Sequence, residues 1–172
     1  GIHLIKVDSA DLSKPIANVK FRIEAVDGSW GPEEYTTSED GTIDLSRLPA
    51  DTAYIVTELE CPGYVVDDAQ RVIHLDGNET AQFVFTNSRL PSLHLTKLSA
   101  DGSPLEGVTY RLARIEDGSR YLDRTTGPAG TISWTDLEPG VYSLVETGTV
   151  ADHILDAKEY HVELFPGRDN TV

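Results

Sequence analysis

Lys6, Glu58 and Asn87 are the residues of this chain whose types and spacing could do chemistry. Each closes a short apolar run: Ile2-His3-Leu4-Ile5-Lys6, Tyr54-Ile55-Val56-Thr57-Glu58 and Phe83-Val84-Phe85-Thr86-Asn87. The period-2 geometry of a strand groups Lys6 with Ile2 and Leu4, Glu58 with Tyr54 and Val56, and Asn87 with Phe83 and Phe85. Three polar groups are thereby expected in one interior, where a charge is costly unless paired or neutralised. Desolvation makes a lysine lose its proton more readily and a glutamate keep one, and a neutral amine is a nucleophile. Attack by Lys6 on the carboxamide carbon of Asn87 would expel ammonia and leave a Lys-Asn amide. Glu58 would polarise the carbonyl and shuttle the protons. The product would be an internal cross-link between the first and last strands. The plainer alternative is an ion pair between Lys6 and Glu58, with Asn87 hydrogen-bonded locally.

The elements that must position these residues occur twice. Leu4-Ile5-Lys6-Val7-Asp8 returns as Leu95-Thr96-Lys97-Leu98-Ser99, and Lys14-Pro15-Ile16-Ala17-Asn18-Val19-Lys20-Phe21 returns as Ser103-Pro104-Leu105-Glu106-Gly107-Val108-Thr109-Tyr110. Gly41-Thr42-Ile43-Asp44-Leu45 matches Gly130-Thr131-Ile132-Ser133-Trp134, and the run ending in Glu58 matches Tyr142-Ser143-Leu144-Val145-Glu146. Four blocks in the same order make a tandem duplication. The join, Ser88-Arg89-Leu90-Pro91-Ser92, is short and stiffened by its proline. The expectation is two modules, residues 1–90 and 91–172, arranged end to end as a rod.

Within each module, runs rich in Val, Ile, Thr, Phe and Tyr alternate with turn clusters such as Asp27-Gly28, Asp76-Gly77-Asn78, Asp117-Gly118 and Pro139-Gly140. Val19, Phe21, Ile23 and Ala25 share one face of a strand, and Lys20, Arg22 and Glu24 the other. This alternation describes half-solvated antiparallel sheets, so the fold class is all-β, with two tandem immunoglobulin-like or prealbumin-like sandwiches. Residues 150–160 read as a short helix.

Composition narrows the function. The 172 residues are 39% apolar with a formal net charge of −15, which argues against nucleic acid and anionic membranes as partners. No apolar run is long enough to span a bilayer, and no charged-then-apolar leader opens the chain, so any targeting signal is expected to lie elsewhere. The single cysteine, Cys61, precedes a Pro-Gly turn and reads as a small buried residue. The five histidines are scattered without metal-ligand spacing, His3 and His94 holding equivalent outward positions. Asp76-Gly77-Asn78-Glu79 lacks the spacing of a calcium loop. No cofactor fingerprint or nucleophile elbow is present, and turnover catalysis has no support; no cofactor is expected. Trp134 alternates with Ile132 and reads as core, while Trp30, between Ser29 and Gly31, is the best isolated candidate for a surface contact.

The order of these pieces resembles the Cna B-type domains of Gram-positive surface adhesins and pilins. The resemblance rests on the strand lysine, the Pro-Ile or Pro-Leu with a downstream aromatic, the Gly-Thr-Ile turn and the Leu-x-Pro-Gly-x-Tyr-x-Leu-x-Glu of Leu137 to Glu146. It continues in the Pro-Gly-Tyr of Pro62 to Tyr64 and a final Phe-x-Asn. It covers essentially the whole chain, twice. It implies a prealbumin-like sandwich, display on the cell wall, and a spontaneous Lys-Asn isopeptide bond assisted by an acidic residue. Residue by residue, the first module matches with Lys6, Asn87 and Glu58; in the second, Lys97 and Glu146 match. The implied role is a structural stalk or pilin module, outside the cell and attached to its wall. Its partners would be neighbouring domains or subunits of the same surface protein or pilus. The alternative is a binding module that contacts a host extracellular matrix protein or glycan through loops or a sheet face.

Two departures matter. Leu48-Pro49-Ala50-Asp51-Thr52 replaces the Pro-Gly loop in the first module and superficially looks like a sorting signal, but no apolar tail and basic end follow it. In the second module the repeat offset puts the partner of Asn87 beyond Val172. Asn170 is expected in a turn after Gly167, matching Asn78. Lys97 and Glu146 are therefore expected without a bonding asparagine, as an unreacted pair.

Overall fold

The computed structural model describes residues 1–121 and 123–172. Strands carry the regular structure, and no helix occurs among the described residues. The chain divides into two compact units, Gly1–Arg89 and Leu90–Val172. The first holds β1 (Ile2–Asp8), β2 (Lys20–Ala25), β3 (Glu33–Thr36), β4 (Thr42–Leu45), β5 (Thr52–Glu60), β6 (Arg71–Leu75) and β7 (Ala81–Asn87). The second holds β8 (Ser92–Thr96), β9 (Thr109–Arg114), β10 (Arg124–Thr125), β11 (Thr131–Trp134), β12 (Gly140–Gly148), β13 (Glu159–Leu164) and β14 (Asp169–Thr171).

Each unit is a sandwich of a three-stranded and a four-stranded sheet. In the first unit the orders are β4-β1-β7 and β3-β2-β5-β6; in the second, β11-β8-β14 and β10-β9-β12-β13. The pairs are antiparallel except β1 with β7 and β8 with β14, where the last strand runs parallel to the first. The core of the first unit is formed by Leu4, Val19, Phe21, Ile23, Tyr54, Val56 and their neighbours. That of the second is formed by Leu93, Val108, Leu112, Trp134, Tyr142 and Leu144. The alternation read along β2 is present: Phe21, Ile23 and Ala25 are buried while Arg22 is exposed.

Small side-chain devices recur in both copies. The Thr37 hydroxyl donates to Ile16 O and accepts from Val19 N, as Thr126 does with Leu105 O and Val108 N. The hydroxyls of Tyr54 and Tyr142 donate to Pro49 O and Glu138 O, tying the loop before each central strand to its end. Gly41 and Gly130 lie at φ +70° and +69°, and a Cβ there would come within 2.5 Å of Lys6 O or Lys97 O. Only glycine lets this turn close against the lysine strand.

Two expectations are corrected here. Residues 150–158 form turns and irregular chain rather than a helix, and Asp152 takes a left-handed φ of 65°. Ile154 is 95% exposed, so no apolar stripe is buried that would stabilise a helix. Asn170 lies in β14, not in a turn. It pairs with Leu93 as Ala81 pairs with Ile2, so its counterpart is Ala81 rather than Asn78.

Candidate functional site

β1 and β7 lie side by side in parallel register, with Lys6 opposite Phe85 and Asp8 opposite Asn87. Lys6 and Asn87, two residues apart in that register, both turn inward to meet Glu58, which β5 presents from the facing sheet. All three are buried, Lys6 completely. Lys6 Nζ donates to Glu58 Oε2 at 2.6 Å and to Asn87 Oδ1, and Asn87 Nδ2 donates to Glu58 Oε1. Glu58 Oε1 also accepts the backbone N–H of Asp67 at 3.2 Å. The Phe21 ring lies 5.8 Å from Nζ and meets Phe85 edge-on, with ring centroids 5.4 Å apart, so apolar walls close the triangle.

The arrangement places an amine against a carboxamide with a carboxylate touching both. Glu58 faces the nitrogen that would leave, rather than the carbonyl oxygen. Of the two roles expected of it, proton transfer is therefore the one the geometry serves. Cys61 is buried in the same core, and burial, with the Glu58 charge, pushes its thiol up to about 11, which leaves it a poor nucleophile.

The second unit repeats part of this. Lys97 Nζ donates to Glu146 Oε2 at 3.0 Å, and the Asp156 N–H approaches Glu146 Oε1 at 3.4 Å, as Asp67 does Glu58. The Lys97 side chain is 24% exposed where Lys6 shows none. A cavity of about 280 Å³ opens beside it, lined by Leu95, Lys97, Tyr110, Leu144, Tyr160 and Val162 among others. In the first unit Phe85 and Asn87 lie at the equivalent place; Val172, which also lines the cavity, follows Thr171 as Phe83 follows Gln82. Asn170 is too far back to serve: it sits opposite Leu93, four residues or roughly 13 Å of strand before Lys97. Its Nδ2 donates instead to Ser92 O at 3.0 Å.

Trp134 is core, as read. Trp30 is not a free surface aromatic: it packs on the core, stacked on Tyr35 and edge-on to Tyr54. His3 pairs with Asp44 at 2.5 Å, and His94 with Ser133 at 2.8 Å. Sequence reasoning missed three participants. The N–H groups of Asp67 and Asp156 hold the two glutamates from loops, and nothing in side-chain pattern signals a backbone donor. Tyr110, whose hydroxyl donates to Glu146 Oε2 at 3.2 Å, was visible in the repeat as the counterpart of Phe21.

The chain is similar in fold to the Bacillus anthracis TIE protein (21% identity, TM-score 0.52, covering 99% of this chain and 32% of that one). It is also similar to a streptococcal ancillary pilin (20% identity, TM-score 0.54, 99% and 60%). A third likeness is the shaft pilin spaA of Lactobacillus rhamnosus GG (15% identity, TM-score 0.55, 98% and 94%). At these identities the likeness describes the fold. The chain spans about a third of the first of these proteins and three fifths of the second. No curated protein matches the chain. The sequence profile of the SpaA prealbumin-like fold domain matches residues 1–89 and again residues 91–172. The chain therefore belongs to the SpaA prealbumin-like fold domain family and carries two tandem copies of that domain.

Proposed function

We propose that the chain is a structural stalk or pilin module of a Gram-positive cell-surface protein, displayed outside the cell on its wall, whose first unit closes itself with a Lys6–Asn87 amide. The observation that carries this reading is the buried triangle of Lys6, Glu58 and Asn87. In the reaction Lys6 passes a proton to Glu58, and Nζ attacks Cγ of Asn87. Glu58 hands that proton to Nδ2, the C–Nδ2 bond breaks and one ammonia leaves, and Glu58 then takes the second proton from Nζ, so that the new amide is neutral and keeps one N–H. Contact geometry supplies most of the acceleration, because the reacting groups are held together by the fold. The reaction runs once per molecule, so it is maturation and not turnover.

The benefit is mechanical and thermodynamic. Tension entering β1 and leaving after β7 would cross a covalent bond, and closing a loop of this length adds about 4 kcal/mol by restricting the unfolded chain. Partners in this reading are neighbouring domains or subunits of the same surface assembly. In the second unit Lys97 and Glu146 form the matching pair.

Intact mass tests the reading. The folded chain is expected to weigh one ammonia less than its sequence, and Lys6→Ala or Asn87→Ala is expected to restore the full mass. Glu58→Ala is expected to fold without forming the bond. A full-sequence mass for the unmutated chain sinks the proposal, and complete bonding in Glu58→Ala removes Glu58 as the proton carrier.

A further inference from the structure

At one position inside the site the first unit carries a side chain without a hydrogen-bond donor and the second a side chain with one. Phe21 stands beside Lys6, fully buried and with no donor to offer. At the same point of the second unit Tyr110 sends its hydroxyl to Glu146 Oε2 at 3.2 Å, the oxygen that also accepts Lys97 Nζ at 3.0 Å. We propose that Tyr110 is a positioning residue that holds the proton of the Lys97–Glu146 pair on Lys97, making the second copy a latent site while Phe21 leaves the first free to react. This rests on reading Lys6, Glu58 and Asn87 as a self-cross-linking set.

The physical argument concerns where one proton sits. A lysine becomes a nucleophile only when its proton passes to the carboxylate, and a hydroxyl donating to that carboxylate stabilises the charged form against the protonated one. Phenylalanine offers no hydroxyl, so the further side-chain donor on Glu58 is Asn87 Nδ2, the group that leaves in the reaction, whereas on Glu146 it is a phenol that stays. The other groups facing Lys97 act in the same direction or are engaged elsewhere. Asp156 adds negative charge from the loop before β13, and Tyr160 donates to its Oδ2 at 2.7 Å. His161, which also lines the cavity, is paired with Glu159 at 3.1 Å. The Glu146 hydrogen bond, opposed by burial and helped by Tyr110, raises Lys97 above the ordinary lysine value.

Two variants of the whole chain test this. The rate of acylation of Lys97 by a small amine-reactive ester, followed across pH by peptide mass, reads its titration midpoint directly. Tyr110→Phe is expected to move that midpoint to lower pH; an unchanged midpoint overturns the proposal. Reciprocally, Phe21→Tyr is expected to slow ammonia loss at Lys6 on refolding by about tenfold, the effect of one added hydrogen bond to a charged group. Bond formation at the unmutated rate in folded Phe21→Tyr counts against it equally. A wild-type chain that keeps its full mass defeats the cross-link reading alone, because the Lys97 midpoint still decides the role of Tyr110.

Discussion

A buried charge at the end of a strand is tolerated only where its surroundings answer it, and Asp8 shows how the first unit does so beside the triangle of Lys6, Glu58 and Asn87. Asp8 is buried, with Oδ1 accepting the Ala10 N–H at 2.8 Å and Oδ2 the Tyr64 hydroxyl at 3.0 Å. Arg89 and Lys14 stand 3.5 and 3.8 Å away. Burial alone would push this carboxyl up, but the Ala10 and Tyr64 hydrogen bonds and the two cations outweigh it and hold it below the usual aspartate value. A carboxyl lowered on folding stabilises the fold above its unfolded value of about 4, and that contribution fades as pH falls through the folded value. Asp8→Asn is therefore expected to destabilise the first unit by about 1–3 kcal/mol at pH 7, and by progressively less in acid. Urea unfolding of both proteins at pH 7 and pH 3 checks this; an equal difference at the two pH values contradicts it. Gly41 offers a second residue-scale test. Alanine there must either strain a φ of +70° or push its Cβ into Lys6 O. Loss of stability together with slower ammonia release is expected by calorimetry and mass, since the same turn seats the lysine strand.

At the scale of elements, the parallel pairing of β1 with β7 is what turns a cross-link into a load path. Both strands run in the same direction, so pulling on the start of β1 and the end of β7 shears their ladder. With Lys6 joined to Asn87, force leaves β1 at Lys6 and enters the chain again at Asn87, bypassing everything from Val7 to Thr86. Single-molecule stretching of the first unit is expected to show no release of that segment, which would otherwise add roughly 270 Å of contour. Lys6→Ala should restore the full extension, and release of that length in the unmutated chain would contradict the load path. The loops before β6 and β13 contribute through backbone donors to Glu58 and Glu146.

Over the whole molecule, duplication has produced two units with one plan and different contents. Beside Lys6 the first carries Phe21, which has no donor; beside Lys97 the second carries Tyr110, whose hydroxyl reaches Glu146. Calorimetry is expected to resolve two transitions, with the higher belonging to Gly1–Arg89. Lys6→Ala should lower that one and leave the other in place. A single transition indifferent to Lys6→Ala would show that closure adds nothing measurable to the stability of the chain.

The amino-acid sequence by itself determined the strand faces, the turns, the duplication and the inward placement of Lys6, Glu58, Asn87, Lys97 and Glu146. These follow from period-2 alternation and from residue spacing, both of which are local. It also marked Asn170 as no partner for Lys97, although for the wrong reason, because a short strand and a turn are spelled with the same few polar residues. Only the tertiary structure decided that β1 and β7 are parallel neighbours and that Glu58 approaches from the opposite sheet. It alone showed that Trp30 folds back onto Tyr35 and Tyr54, and that main-chain N–H groups of Asp67 and Asp156 complete the two sites. Such facts depend on which strands pair across long separations and on backbone donors that carry no residue-specific signature, so no local pattern records them.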